Sequence, residues 1–252
     1  MPGVGSLLVT PIRLIIVMSL GLGCTEDIGL VEIQGVTRNG PDGLAIGQVQ
    51  VTALDLFEEE LEQTQSRDDG WFRLAIPRGT GGVHVRLEGP GLRTSVFSGD
   101  PGENPRIRVP NSHAIVYNEE SYSALSSKWE GCPGLNQGGM IIGRLEIADF
   151  TEENGEPLLV STGDVRVQFP DETVRRACYV GESGLYDPDA TESGPTGEFL
   201  VPNVPAGAHL VVVSWNPVAS LTLSNEYIVW LGEDHIAPRY PLLVDPPIDV
   251  EP

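Results

Sequence analysis

Few residues in this chain are of the kinds that do chemistry. A zinc hydrolase of the His-x-x-Glu type needs an imidazole and a carboxylate one helical turn apart, so that both reach one metal. The residues three places after His84, His113, His209 and His235 are Leu87, Val116, Val212 and Pro238, and no His-Glu-x-x-His occurs. Gly181-Glu182-Ser183-Gly184-Leu185 begins like a nucleophile elbow. It lacks the final glycine and a strand-to-helix setting. There is no phosphate-cradling glycine loop and no dinucleotide fingerprint. Asp187-Pro188-Asp189-Ala190-Thr191, with Glu198 at the twelfth place, has calcium-loop spacing. Its sixth place is Glu192, where the sharp turn needs glycine, so it reads as an acidic surface loop. Glu58-Glu59-Glu60-Leu61-Glu62 likewise reads as a solvated loop. The histidines read as structural or exposed, with His84 on the polar side of its strand. No residue is assigned to catalysis, a cofactor or a metal. Trp71 is the one candidate glycan contact, because Phe72 takes the inward side of the strand and leaves the indole free to stack on a sugar face. The alternative for Trp71, as for Trp129, Trp215 and Trp230, is packing.

Charge and composition narrow the classes further. Acidic residues outnumber basic ones 36 to 15, for a formal charge of −21. A phosphate backbone selects a basic face, so nucleic acid is not an expected partner. Glycine (30) and proline (21) make up about a fifth of the 252 residues, and 40% are hydrophobic. That is too apolar for wholesale disorder and too rich in helix breakers for a bundle. An all-β, turn-rich chain of one or two domains follows.

The beginning of the chain reads as an address. Residues 1–23 contain no Asp or Glu, and their one charge, Arg13, precedes the apolar run Leu14 to Leu22. That run is shorter than the roughly 20 residues a membrane span requires, and it has the layout of a secretory signal peptide. The alternatives are an uncleaved anchor or a start site placed too early. Leu20-Gly21-Leu22-Gly23-Cys24 resembles the lipobox of bacterial lipoproteins. Gly23 fits that family; Gly21 stands where it usually has leucine. The resemblance implies a diacylglycerol thioether and an acyl chain on Cys24, enough for stable anchoring where one chain is marginal. It therefore implies the membrane as a partner and the cell envelope as the location. Thr25 in place of aspartate leans towards the outer membrane, facing the periplasm or the surface. With Cys24 lipidated, Cys132 and Cys178 remain in an oxidising compartment. A disulfide would close the 46-residue span between them; the alternative is two unrelated cysteines too far apart to bond. No Cys-x-x-Cys suggests zinc or thioredoxin-like chemistry.

An internal repeat organises the rest. Copy one runs through Ile33-Gln34-Gly35, Val49 to Ala53, Asp69-Gly70-Trp71-Phe72 and Pro77-Arg78-Gly79. Copy two runs through Ile141-Ile142-Gly143, Val165 to Phe169, Thr196-Gly197-Glu198-Phe199 and Pro205-Ala206-Gly207. Val49, Val51 and Ala53 alternate with polar residues, as do Val165, Val167 and Phe169, the period-2 mark of a strand with one buried face. Asp69-Gly70 is a turn signal. Leu210-Val211-Val212-Val213 is a continuous apolar run, as in a strand covered on both faces. These motifs resemble the carboxypeptidase regulatory-like family, whose fold is a transthyretin-like β-sandwich. Gly143 and Gly197 lie 54 residues apart, against 35 for Gly35 and Gly70, so copy two carries an insertion, with Cys178 in it.

The expected architecture is all-β, two tandem antiparallel sandwich modules after an N-terminal signal peptide. The signal spans 1–23, a short tether 24–29, module one 30–110, a linker 111–138, module two 139–245 and a disordered tail 246–252; within the linker His113 to Tyr117 reads as a strand and Glu119 to Trp129 as a short helix, broken by Cys132-Pro133-Gly134. The expected role is non-catalytic, an interaction or structural module of the envelope with a protein or glycan partner. A carbohydrate-binding lipoprotein is the alternative, and an unrecognised hydrolase a third.

Overall fold

The computed structural model describes residues 29–40, 43–99, 102, 104–109, 113–151, 157–160, 163–218 and 221–244. The signal segment, Cys24 and the tail 246–252 lie outside the described residues. The first half holds β1 (Leu30–Val36), β2 (Arg38–Asn39), β3 (Gln50–Leu54), β4 (Glu60–Gln65), β5 (Trp71–Pro77), β6 (Val83–Glu88), β7 (Leu92–Arg93), β8 (Ser95–Gly99) and β9 (Arg106–Arg108). β10 (Ile115–Asn118) and helix α1 (Glu119–Lys128) follow. The second half holds β11 (Gly139–Thr151), β12 (Pro157–Leu159), β13 (Gly163–Gln168), β14 (Val174–Arg176), β15 (Cys178–Val180), β16 (Tyr186–Asp187), β17 (Glu198–Val204), β18 (Gly207–Val218), β19 (Leu221–Leu231) and β20 (Ile236–Val244).

The two halves repeat one another strand for strand. In the first, β5-β1-β9 faces β4-β3-β6-β8; in the second, β17-β11-β20 faces β14-β13-β18-β19. The sequence motifs explain the match. Gly35 sits opposite Phe72, and Gly143 opposite Phe199. A Cβ on Gly35 would stand 2.9 Å from the Phe72 ring, so the glycine makes room for the aromatic. Gly70 and Gly197 are left-handed, with φ of +78° and +65°. Their carbonyls accept from Thr37 N and Leu145 N, both at 2.9 Å. The Gly-x-Phe motif is therefore a left-handed turn followed by a core ring.

The all-β class is as the sequence indicates, with one difference in strand direction. The closing strand of each half is parallel to its neighbour: β9 to β1, and β20 to β11. The chain crosses from the four-stranded to the three-stranded layer just before these strands, and so arrives running with the first strand. The insertion of copy two forms β15 and β16, which extend the three-stranded layer beyond β17.

Both faces of that extended layer are buried. Ile141, Phe199, Val201 and Ala237 enter the core of the second sandwich. Met140, Ile142, Leu200 and Ile236 face the other way, against Tyr122, Trp129 and Cys132 of the α1 segment. The Leu210–Val213 run is different from its expectation. Val211 and Val213 are buried while Leu210 and Val212 stay half-buried, because among the described residues no third layer covers β18.

The stretch between the halves holds them together. β10 pairs with β2 and β7 of the first half. Ala114 and Val116, on one face, join the first core. Ile115 and Tyr117, on the other, join the cluster beneath α1. Asn118 caps the helix by accepting from Ser121 N at 2.9 Å. At the far end Ile236 of β20 pairs with Ser95 of β8, and its N–H donates to Thr94 O at 2.9 Å. One sheet thus runs β16-β15-β17-β11-β20-β8-β6-β3-β4 through both halves.

Candidate functional site

The residues singled out in the sequence are scattered over the molecule. Ser183 lies in an exposed turn between β15 and β16, its Oγ accepting from Leu185 N at 3.4 Å. Asp187 Oδ1 accepts from Asp189 N at 3.0 Å, a local turn contact. Glu198 points elsewhere, to Lys128 Nζ on α1 at 2.6 Å. Among the described residues no group of three or more His, Cys, Asp or Glu is arranged to hold a metal. The acidic run is only partly a loop. Glu60 and Glu62 stand on β4, an exposed strand at the end of the sheet, with Leu61 packed on the core. Charge there guards an open edge from pairing with another chain. Trp71 is half-buried, and the Arg67 guanidinium lies 4.3 Å from the centre of its ring. Trp129 and Trp215 are core residues. Cys132 and Cys178 are bonded, with Cα atoms 6.2 Å apart, and the bridge ties the segment after α1 to β15.

What the structure does gather is a polar junction between the halves. His84 is 3% exposed. It does lie opposite Val83, Val85 and Leu87, on the face away from its own core, but that face is covered by the second half. Its ring stacks on Trp230 at 5.3 Å, and its Nδ1 meets Ser98 Oγ at 2.8 Å. Val96, its neighbour on β8, belongs to the core of the second sandwich. His235 sets its ring edgewise to Trp230 at 6.1 Å and accepts from Gly232 N through Nδ1 at 3.1 Å. Arg239 of β20 is buried, and its guanidinium donates to Pro238 O at 3.0 Å. No carboxylate pairs with it among the described residues.

The imidazoles here, and that of His113 just before β10, are held away from charge. Burial pushes His113 down to about 4, helped by Arg239. Burial and Arg239 also lower His84, against smaller opposing pulls from Glu58 and Asp55. His235 is lowered chiefly by burial; Arg86 adds to this, while Glu88, Asp234 and Glu58 oppose it. Burial alone brings Arg239 down to about 10. At neutral pH the junction holds neutral imidazoles around one buried cation.

Beside the junction, a cleft of ≈ 380 Å³ opens between β7, α1, the turn after Cys132 and the turn before β20. Its polar rim includes Arg93, Asn136 and Asp234. Sequence reasoning missed all three. Each lies in a different segment, and only the turn-forming character of Asn136-Gln137-Gly138 and Glu233-Asp234 was visible.

No family model matches the chain, and no curated protein matches it. Several solved structures are similar at low superposition scores. The TIE protein of Bacillus anthracis gives a TM-score of 0.30 at 10% identity, covering 84% of this chain and 33% of that one. This chain thus spans about a third of the TIE protein. The shaft pilin SpaA from Lactobacillus rhamnosus GG gives 0.27 at 9% identity, covering 88% and 99%. The minor pilin of the Gram-positive pathogen Streptococcus agalactiae gives 0.29 at 10% identity, covering 89% and 99%. These scores carry no functional argument.

Proposed function

We propose that the chain is a non-catalytic component of the cell envelope, lipid-anchored through Cys24 at the outer membrane, that holds an interaction surface in fixed geometry. The observation that carries this reading is the strand β10, whose two faces belong to two different hydrophobic clusters. Moving one half against the other would bring Ile115 and Tyr117, or Ala114 and Val116, into water. Full exposure of a large apolar side chain costs about 1.5–3 kcal/mol. A flexible linker between tandem domains has no such cost. Rigidity of this kind suits a part that positions a partner. The bridge between Cys132 and Cys178 supports export, since structural disulfides persist in oxidising compartments.

Two experiments test the reading. Cys24→Ser should abolish palmitate incorporation and release the protein from membranes; unchanged attachment would refute the anchor. Mild crosslinking of the tagged full-length protein in its native envelope, followed by affinity capture and mass spectrometry, should return one dominant stoichiometric envelope partner. No partner above background would count against the interaction role.

A further inference from the structure

The two halves differ at one sheet edge. In the second half, β17 is paired on its far side by β15, which runs antiparallel to it with Tyr179 opposite Phe199 and Cys178 opposite Leu200. β5 is the counterpart of β17 in the first half, and it ends its sheet; among the described residues no strand pairs with its far side. One half thus carries a short added strand where the same edge of the other is open.

The edge of β5 is accessible at its centre. Thr37 N donates to Gly70 O and Arg78 N to Gly29 O. In that register the bonds between β5 and β1 fall at Phe72, Leu74 and Ile76, so the backbone groups of Trp71, Arg73, Ala75 and Pro77 turn outward. Both ends are closed. Trp71 N donates to Asp69 Oδ1 at 3.0 Å, and Trp71 O accepts from Arg67 N at 2.9 Å. Pro77 has no N–H, and its carbonyl accepts from Thr80 Oγ1 at 2.7 Å. Arg73 and Ala75 remain, a window for a strand about as short as the three-residue β15.

The face beside the window sets the partner's charge. The charged side chains of β1, β5 and β9 are Glu32, Arg73, Arg106 and Arg108, all turned away from the core. Three arginines against one glutamate make this face basic, in a chain of net charge −21. Glu32 meets Arg73 at 2.7 Å and Arg106 at 3.2 Å. It draws the Arg73 guanidinium over β1 and off the edge, so the charge selects a strand without blocking it. A basic segment is repelled beside Arg73, and a carboxylate is attracted. The second half supplies the pattern: Tyr179, opposite Phe199, enters the core, while Cys178 faces the other way. The same alternation on β5 puts an apolar residue opposite Phe72 and an acidic one opposite Arg73. We propose that the β5 edge takes up, as an added antiparallel strand, an extended segment of a partner protein that alternates carboxylates with apolar residues. This deepens the interaction role proposed above and rests on it.

The test is NMR titration with amide hydrogen exchange on the full mature chain. The probes are a peptide alternating glutamate with valine, the same peptide with lysine for glutamate, and the glutamate peptide N-methylated at its glutamates, which removes the donors that would face Arg73. The glutamate peptide should bind and slow exchange at the Arg73 and Ala75 amides by about tenfold or more; neither control should. Arg73→Glu should abolish binding of the glutamate peptide and admit the lysine peptide. Arg166→Glu, at an exposed arginine of β13, should leave binding unchanged. The spectrum of each variant reports that it is folded. Unchanged exchange at both amides, equal binding of either control peptide, or binding that survives Arg73→Glu would overturn the proposal. The free protein should sediment as a monomer; a dimer that Arg73→Glu dissociates would make a second copy the occupant and overturn the assignment to a partner. Crosslinking in the envelope decides the interaction role separately. A stoichiometric partner captured equally well by Arg73→Glu would leave that role intact and remove β5 from it.

Discussion

At the scale of single residues, the glycines of the repeat separate two costs that sequence alone merges. Gly70 and Gly79 both have left-handed φ, +78° and +81°. A Cβ on Gly70 would also stand 2.7 Å from Thr37 O, whereas one on Gly79 meets nothing within 4 Å. Gly79→Ala should cost about 1–2 kcal/mol from backbone conformation alone. Gly70→Ala should cost clearly more, read as a larger drop in urea midpoint at unchanged slope. The histidines make a second residue-scale prediction. His113 has a folded pKa of about 4, below its ordinary value of 6.5, so the unfolded chain binds more protons between those values. Its contribution to stability is present above about pH 6.5 and is lost as pH falls towards 4. The melting temperature should therefore decline across that window, and His113→Gln should flatten the decline. An unchanged slope in the variant would place the acid sensitivity elsewhere. The sequence displayed Gly70 as a turn because that requirement is local. It displayed His84 as a polar-face residue for the same reason, and could not display the Trp230 ring that covers it, 146 residues further along.

At the scale of elements, the duplicated strands were legible, and so were the short strand and the helix between them, which the structure holds as β10 and α1; what these two pack against was not. Period-2 alternation and the paired Gly-x-Phe turns are properties of neighbouring residues; β13 keeps the alternation in its burial, whereas β3 buries Thr52 and Leu54 as well as Val51 and Ala53, so its second face is covered too. β10 shows the limit. Residues 114–117, which run into it, are a short apolar stretch, which alone does not say that its two faces serve different clusters. Glu60 and Glu62 obscured β4, because edge strands carry charge for reasons that concern other chains. The disulfide is the clearest element-scale test. It closes a 46-residue span and joins the α1 segment to β15. A double Cys132→Ser, Cys178→Ser variant should lose about 2–4 kcal/mol. The wild-type protein should shift in gel mobility on reduction, and Cys132→Ser should remove the shift. A stability loss near zero would mean that the packing of Trp129, Tyr122 and Ile142 alone sets the position of α1.

At the scale of the whole molecule, composition conveyed the all-β class, and the repeat conveyed two units. Their union into one sheet and three contiguous apolar clusters depends on contacts between distant segments, such as Ile236 with Ser95. The candidate cleft depends on the same union, since Arg93, Asn136 and Asp234 meet only when both halves and α1 are in place. The central claim is that the two sandwiches form a single rigid body. Differential scanning calorimetry of residues 25–252 tests it most directly. One transition, with a calorimetric enthalpy equal to the van't Hoff enthalpy, is the predicted result for a single cooperative unit. Two resolved transitions, or a calorimetric enthalpy near twice the van't Hoff value, would show sandwiches that unfold independently and would contradict the account.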